Sequence, residues 1–147
     1  MPLYSSDYAA AYPQVAKESK DAIAAADAVL FVTPEYNRSI AGALKNALDW
    51  ASRPYGKNSF TRKPSAVIGT SPGAIGTAVG QQHLRSVLGF CNSPQMNAPE
   101  VYIRFTPGLI TDEGEVNNES TAEFLRNYMA EFHQFIVRVY TALPRDA

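Results

Sequence analysis

Apolar residues fall into short blocks along this chain, and the blocks alternate between two spacings. Ala28-Val-Leu-Phe-Val-Thr33 and Ser65-Ala-Val-Ile-Gly69 are unbroken runs of strand length, the pattern of strands covered on both faces, as in a parallel sheet. Val101-Tyr-Ile103 with its flanks predicts a third strand. The other blocks have helical spacing. Val15, Ala16, Ile23, Ala24 and Ala26 lie among lysines and acids and predict a surface helix that starts near Pro13. Leu44, Ala47, Leu48 and Ala51 predict a second helix of about three turns, with Lys45 and Asp49 outward as an i,i+4 pair and Pro54 barring continuation. Val79, Leu84, Val87 and Leu88 predict a third over 77–90, and Leu125, Tyr128, Phe132, Phe135, Ile136 and Val139 put a long apolar stripe on a docking helix over 119–143. The stretch 106–118, rich in Pro, Gly, Asp, Asn and Thr, reads as a loop.

Strands alternating with helices imply an α/β fold: a parallel sheet with helices on both faces, because right-handed crossovers return each strand beside its predecessor. Ligands of such sheets bind beyond the carboxyl ends of the strands. The loops to watch are therefore 34–39, after the first predicted strand, and 70–76, after the second. No internal repeat, low-complexity tract or interdomain linker interrupts the chain, and 147 residues suffice for one domain with a core.

Composition removes several functions. The formal net charge is −1, so nothing draws the chain to nucleic acid or to an anionic membrane. A single cysteine, Cys91, can form no internal disulfide and no metal clip, and reads as a small core residue in a reducing, cytoplasmic setting. His83 and His133 fall in predicted helices without a partner at metal-ligand spacing, so no metal site is expected. No apolar stretch approaches the ~20 residues of a membrane span, and the start, Met1-Pro-Leu-Tyr-Ser, has no basic leader.

The chemistry lies in the two loops. Thr33-Pro-Glu-Tyr-Asn-Arg-Ser leaves a strand and runs into a helix, so its amides are free to donate to the electron-rich edge of a flat ring. Thr70-Ser-Pro-Gly73 joins a hydroxyl to a glycine that lets a ring approach closely. Each has a plainer reading: Tyr36 as a surface aromatic, Glu35 and Asn37 as helix-entry residues, Ser71-Pro-Gly73 as a turn. Arg38, Arg53, Arg62 and Lys63 near these loops read by default as a solvated face.

VTPEYNRSIAGALKNALDWASRP at 32–54 resembles the signature of the NADPH-dependent FMN reductase family, which includes chromate and quinone reductases. GTSPGAIGTAVGQQHLRSVL at 69–88 is similar to that family's second flavin-side segment and the helix after it. The resemblance implies a flavodoxin-like three-layer fold, FMN as cofactor and NADPH or NADH as electron donor. It also implies quinones, chromate-like oxyanions or similar small molecules as acceptors, and a homodimer or homotetramer. By the same resemblance the loop of Pro34, Glu35, Tyr36 and Asn37 packs along the isoalloxazine and supplies amide hydrogen bonds to its polar edge, and Ser71, Pro72 and Gly73 lie nearby. No catalytic acid, base or nucleophile is required of the protein, because the flavin carries the chemistry.

Members of that family open with a strand, a phosphate-cradling loop, a helix and a second strand, and this chain begins at a point that resembles the family's chain just after that second strand. The expectation is one flavodoxin-like domain over 1–147 that lacks its first strand–helix–strand unit of about 30 residues or more. Met1 would then be internal to a longer protein, and strand 28–33 would present an unpaired apolar edge. Two other functions stay open: an oligomerising remnant unable to hold FMN, and an electron carrier of flavodoxin type. The 34–54 segment favours the reductase.

Overall fold

A computed structural model describes residues 1–145. Its helices are α1 (Gln14–Ala25), α2 (Gly42–Ala51), α3 (Ala78–Phe90) and α4 (Glu119–Ala142), and its strands are β1 (Val29–Val32), β2 (Glu35–Tyr36), β3 (Ser39–Ile40), β4 (Ser65–Ser71) and β5 (Tyr102–Arg104). β1, β4 and β5 form a parallel sheet in the order β1-β4-β5, with β4 central.

Alternation along the strands divides the core in two. Phe31 and Val67 point to one face, where they pack with Ile40, Leu48, Phe60, Leu84 and Leu88, joined by Ile23 of α1 and Leu44 of α2. Leu30, Ala66 and Ile68 point to the other, which α4 covers with Leu125, Tyr128, Phe132, Phe135 and Ile136. Helix, sheet and helix make three layers, as the alternating blocks imply. Cys91 is buried in the first core, and burial pushes its thiol up from the usual range. The Tyr128 hydroxyl donates to the Val67 carbonyl at 2.9 Å, so α4 is hydrogen-bonded to the central strand as well as packed on it.

The sheet is staggered. β1 pairs with β4 from Val29↔Ser65 to Val32↔Ile68, whereas β5 pairs with the later residues Gly69 to Ser71. Past Val32, β4 runs on for three residues without β1 beside it. The step is filled by a small antiparallel hairpin, β2 and β3, with Glu35 opposite Ile40 and Tyr36 opposite Ser39. Sequence periodicity reads this segment as a loop. Asn37 (φ 50°) and Arg38 (φ 64°) both take the left-handed region at its tip, the backbone that a two-residue hairpin turn of the right twist needs. The tip lacks the Asn-Gly or Asp-Gly signal of such turns, and strands of two residues have no periodicity to read.

Residues 1–12 carry no strand. They lie against α2, with a short 3-10 helix at Ser6–Ala10. Trp50, 1% exposed, is enclosed by Tyr4, Tyr8 and Tyr12, whose ring centroids are 5.0, 5.9 and 5.0 Å from its own. The main chain is tied down as well: Asn46 accepts from the Tyr4 amide at 2.9 Å and donates to the Pro2 carbonyl at 2.9 Å.

Candidate functional site

The seven residues expected at the ring reach the carboxyl edge of the sheet in two groups. Pro34 follows β1 after Thr33, Glu35 opens β2, and Tyr36 and Asn37 form one side of the hairpin tip, where Tyr36 is 61% exposed. Ser71 ends β4, and Pro72 and Gly73 are exposed in the loop beyond it. The Ser71 hydroxyl accepts from the Gly73 amide at 3.2 Å and the Ser71 carbonyl from the Phe105 amide at 2.9 Å, which fixes the loop's exit angle.

The two groups are brought together by close backbone approach. A Cβ on Gly69 would stand 2.2 Å from the Thr33 carbonyl oxygen and 2.7 Å from the Thr77 hydroxyl, so only glycine lets the end of β1, the middle of β4 and the entry to α3 meet. Gly76, at φ 57°, takes the left-handed region directly against the Tyr102 main chain and returns the loop towards α3. Thr33 itself is buried, and its hydroxyl donates to the Pro34 carbonyl at 2.8 Å.

The same edge holds groups that periodicity did not single out. Glu35 turns its carboxylate inward, where it accepts the Gly80 amide at 2.8 Å and approaches Arg38 at 3.5 Å. His83 lies on α3 with Nδ1 3.2 Å from the Ser39 hydroxyl, so it is a contact of the hairpin and not an isolated helix residue. Thr77 and Gln81 are fully buried beneath the loop, with Gln81 Nε2 donating to the Thr77 hydroxyl at 2.8 Å and to the Val101 carbonyl at 2.6 Å. A sequence signal for Glu35 existed in its place after the strand; its partner 45 positions away carried none.

What remains outward is a shelf of exposed main chain and one aromatic ring. Ala74 and Ile75, exposed in the loop after Gly73, donate no backbone hydrogen bond among the described residues, which leaves their amides available to an acceptor-rich ligand edge. An open shelf with an exposed aromatic ring suits a planar conjugated ligand that brings its own reactivity. Among the described residues no three or more histidines, cysteines and carboxylates come together as a group that could hold a metal ion.

Cavities also lie off this shelf. One, of about 440 Å³ at the amino end of β4, is lined by Lys63, Tyr140 and Arg145. Its cations are already held by main-chain oxygens, Lys63 by Ala24 and Ala26, and Arg145 by Ala24 and by the Asp27 carboxylate. Another, of about 540 Å³, lies over β5 between Arg104, Thr106 and the first turn of α4. No helix among the described residues is long and apolar enough to cross a membrane.

The family profile described as NADPH-dependent FMN reductase matches residues 1–108. A 2-hydroxy-1,4-benzoquinone reductase of a Burkholderia species is 48% identical over 136 residues, covering 92% of this chain and 74% of that protein. A quinone reductase of Pseudomonas putida is 44% identical over 137 residues, again covering 92% of this chain and 73% of its own length. Among solved structures, the flavoenzyme NAD(P)H:(acceptor) oxidoreductase FerB from Paracoccus denitrificans superposes with a TM-score of 0.89 at 45% identity. The match covers 94% of this chain and 76% of FerB.

Proposed function

The chain belongs to the NADPH-dependent FMN reductase family, and from that membership we propose that it is an FMN-dependent oxidoreductase that passes electrons from NADPH or NADH to quinones. The observation that carries the reading is the shelf at residues 34–37 and 71–73, in a chain 48% and 44% identical to two quinone reductases. When bound, FMN supplies the redox chemistry: NAD(P)H, a proton and a quinone become NAD(P)⁺ and a hydroquinone.

The protein's own part is to bind and orient. Pro34, Glu35, Tyr36 and Asn37 form one wall, with the exposed Tyr36 ring available to a flat partner. Ser71, Pro72 and Gly73 form the second wall, kept open because the Gly73 position carries no side chain. No side chain here needs to exchange a proton for the electrons to move.

Finer assignments belong to the same proposal. Oxyanions of the chromate type are further acceptors, since an open shelf imposes little shape on what approaches. A homodimer or homotetramer would cover Phe90 and Tyr55, 81% and 92% exposed on neighbouring segments. Dependence on reduced nicotinamide supports a cytoplasmic setting for the reaction. The whole of 1–147 is read as one flavodoxin-like domain.

The test is direct. The purified chain is titrated with FMN, followed by the yellow flavin absorbance and its fluorescence, and then assayed for NADPH and NADH oxidation with a benzoquinone. Flavin uptake with quinone-dependent oxidation is the expected result. Flavin uptake without nicotinamide oxidation would make it a carrier, and a colourless, inactive protein would make it a remnant.

A further inference from the structure

Glu35 lies in the wall that faces the proposed ring, yet its carboxylate points into the protein, with the side chain 6% exposed. Oε2 accepts the amide of Gly80, the third residue of α3. The residue that should cap this helix, Thr77, makes no side-chain cap bond; its hydroxyl is occupied by Gln81. One of the amides that every helix start leaves without an intrahelical acceptor is therefore satisfied by a different element. The negative charge also stands at the positive end of the helix dipole. A Cβ on Gly80 would lie 3.1 Å from the Ser39 carbonyl oxygen and 3.4 Å from Glu35 Cγ, so the bare glycine is what lets the hairpin lie on the helix.

We propose that Glu35 is a positioning residue that sets the gap between the two ring-side walls, by capping α3 from the hairpin. The proposal rests on the reading that these walls hold the flavin ring. The cap fixes where the 71–76 segment enters α3 relative to the 34–40 hairpin. Glu35 then meets the cofactor through its main chain alone, and its carboxylate acts through α3. Such a cap depends on reach: an amide oxygen at the same distance can accept the Gly80 amide, and a carboxylate one methylene shorter cannot. A carboxylate whose charge served the ring directly would show the opposite order.

The experiment compares the full chain with Glu35→Gln, Glu35→Asp, Glu35→Ala and Gly80→Ala by two measurements. In flavin-free protein, NMR-detected hydrogen exchange at the Gly80 amide is expected to rise about tenfold or more in Glu35→Ala and Glu35→Asp, and by less than about threefold in Glu35→Gln. In FMN titrations the same ranking is expected, with Glu35→Ala, Glu35→Asp and Gly80→Ala each about tenfold weaker than wild type. Unchanged Gly80 exchange in Glu35→Asp overturns the cap. Tight FMN binding by Glu35→Asp with weak binding by Glu35→Gln overturns the positioning role in favour of a charge at the ring. Should Glu35→Ala fail to fold, the Gln and Asp pair carries the test. Should wild type take up no FMN, the functional reading falls, and amide exchange alone decides the cap.

Discussion

The indole of Trp50 donates its Nε1–H to the carbonyl of Pro2, 2.8 Å away and 48 positions earlier. The Tyr12 hydroxyl bonds the Trp50 carbonyl, so indole and main chain both hold the opening segment. Trp50→Ala removes a side chain that is 1% exposed and the floor on which three tyrosines rest, at an expected cost of about 3–5 kcal/mol. Trp50→Phe keeps most of the packing and loses the donor, leaving the Pro2 carbonyl with Asn46 alone, for about 1 kcal/mol. Urea unfolding measures both, and limited proteolysis is expected to release residues 1–12 first in the alanine variant.

Gly69 and Gly73 are close in sequence and different in kind. A methyl on Gly69 collides with the Thr33 carbonyl oxygen, whereas on Gly73 its nearest neighbour is the Ser71 hydroxyl oxygen at an ordinary 3.5 Å. Gly69→Ala is expected to cost about 1–3 kcal/mol or more through displaced backbone, and Gly73→Ala to stay within about 0.5 kcal/mol. Thermal unfolding without ligand separates them. FMN titration then shows what Gly73 is for: weaker binding at unchanged stability assigns its open space to the ligand, and unchanged binding removes Gly73 from the site.

Tyr128 is fully buried, and burial pushes its hydroxyl from 10.0 up to about 12. The folded form holds its proton where the unfolded form releases it. Stability is therefore complete below pH 10 and is expected to fall as pH rises from there to about 12, because above pH 10 the unfolded state binds fewer protons. Tyr128→Phe should flatten this part of the alkaline slope while costing about 1 kcal/mol at neutral pH for the bond to the Val67 carbonyl. Equilibrium unfolding at a series of pH values, wild type against variant, gives the comparison.

The outer edge of β1 has no strand neighbour among the described residues, and Val32 at its end is 70% exposed. Such an edge is a template for pairing with another strand. Val32→Lys is expected to raise the protein concentration at which light scattering increases, with little change in unfolding midpoint. Equal scattering from variant and wild type would show that association, if any, uses another surface.

The layered fold was legible because its parts repeat a local period. The uninterrupted apolar runs at 28–33 and 65–69 are β1 and the start of β4, and the helical stripes end within a residue or two of α1 to α4. Lys45 and Asp49 pair on the outer face of α2, at 2.8 Å, as their spacing implies. What escaped depends on distant partners. The hairpin is held by two residue pairs and by a helix it does not adjoin in sequence. The tyrosines at 4, 8 and 12 have helical spacing, but they converge on Trp50 from a segment that is mostly not helical. Gly80 shows no local reason to be glycine; the hairpin lying on it is the reason.

The bond between Tyr128 and Val67 joins positions 61 residues apart in the chain. Synthesis at about 5–20 residues per second puts roughly 3–12 seconds between the emergence of the central strand and that of the helix that covers its second face. Throughout that interval Leu30, Ala66 and Ile68 have no α4 to pack against. Expression yield should thus respond to translation speed and to chaperone supply, and less to the stability of the finished fold.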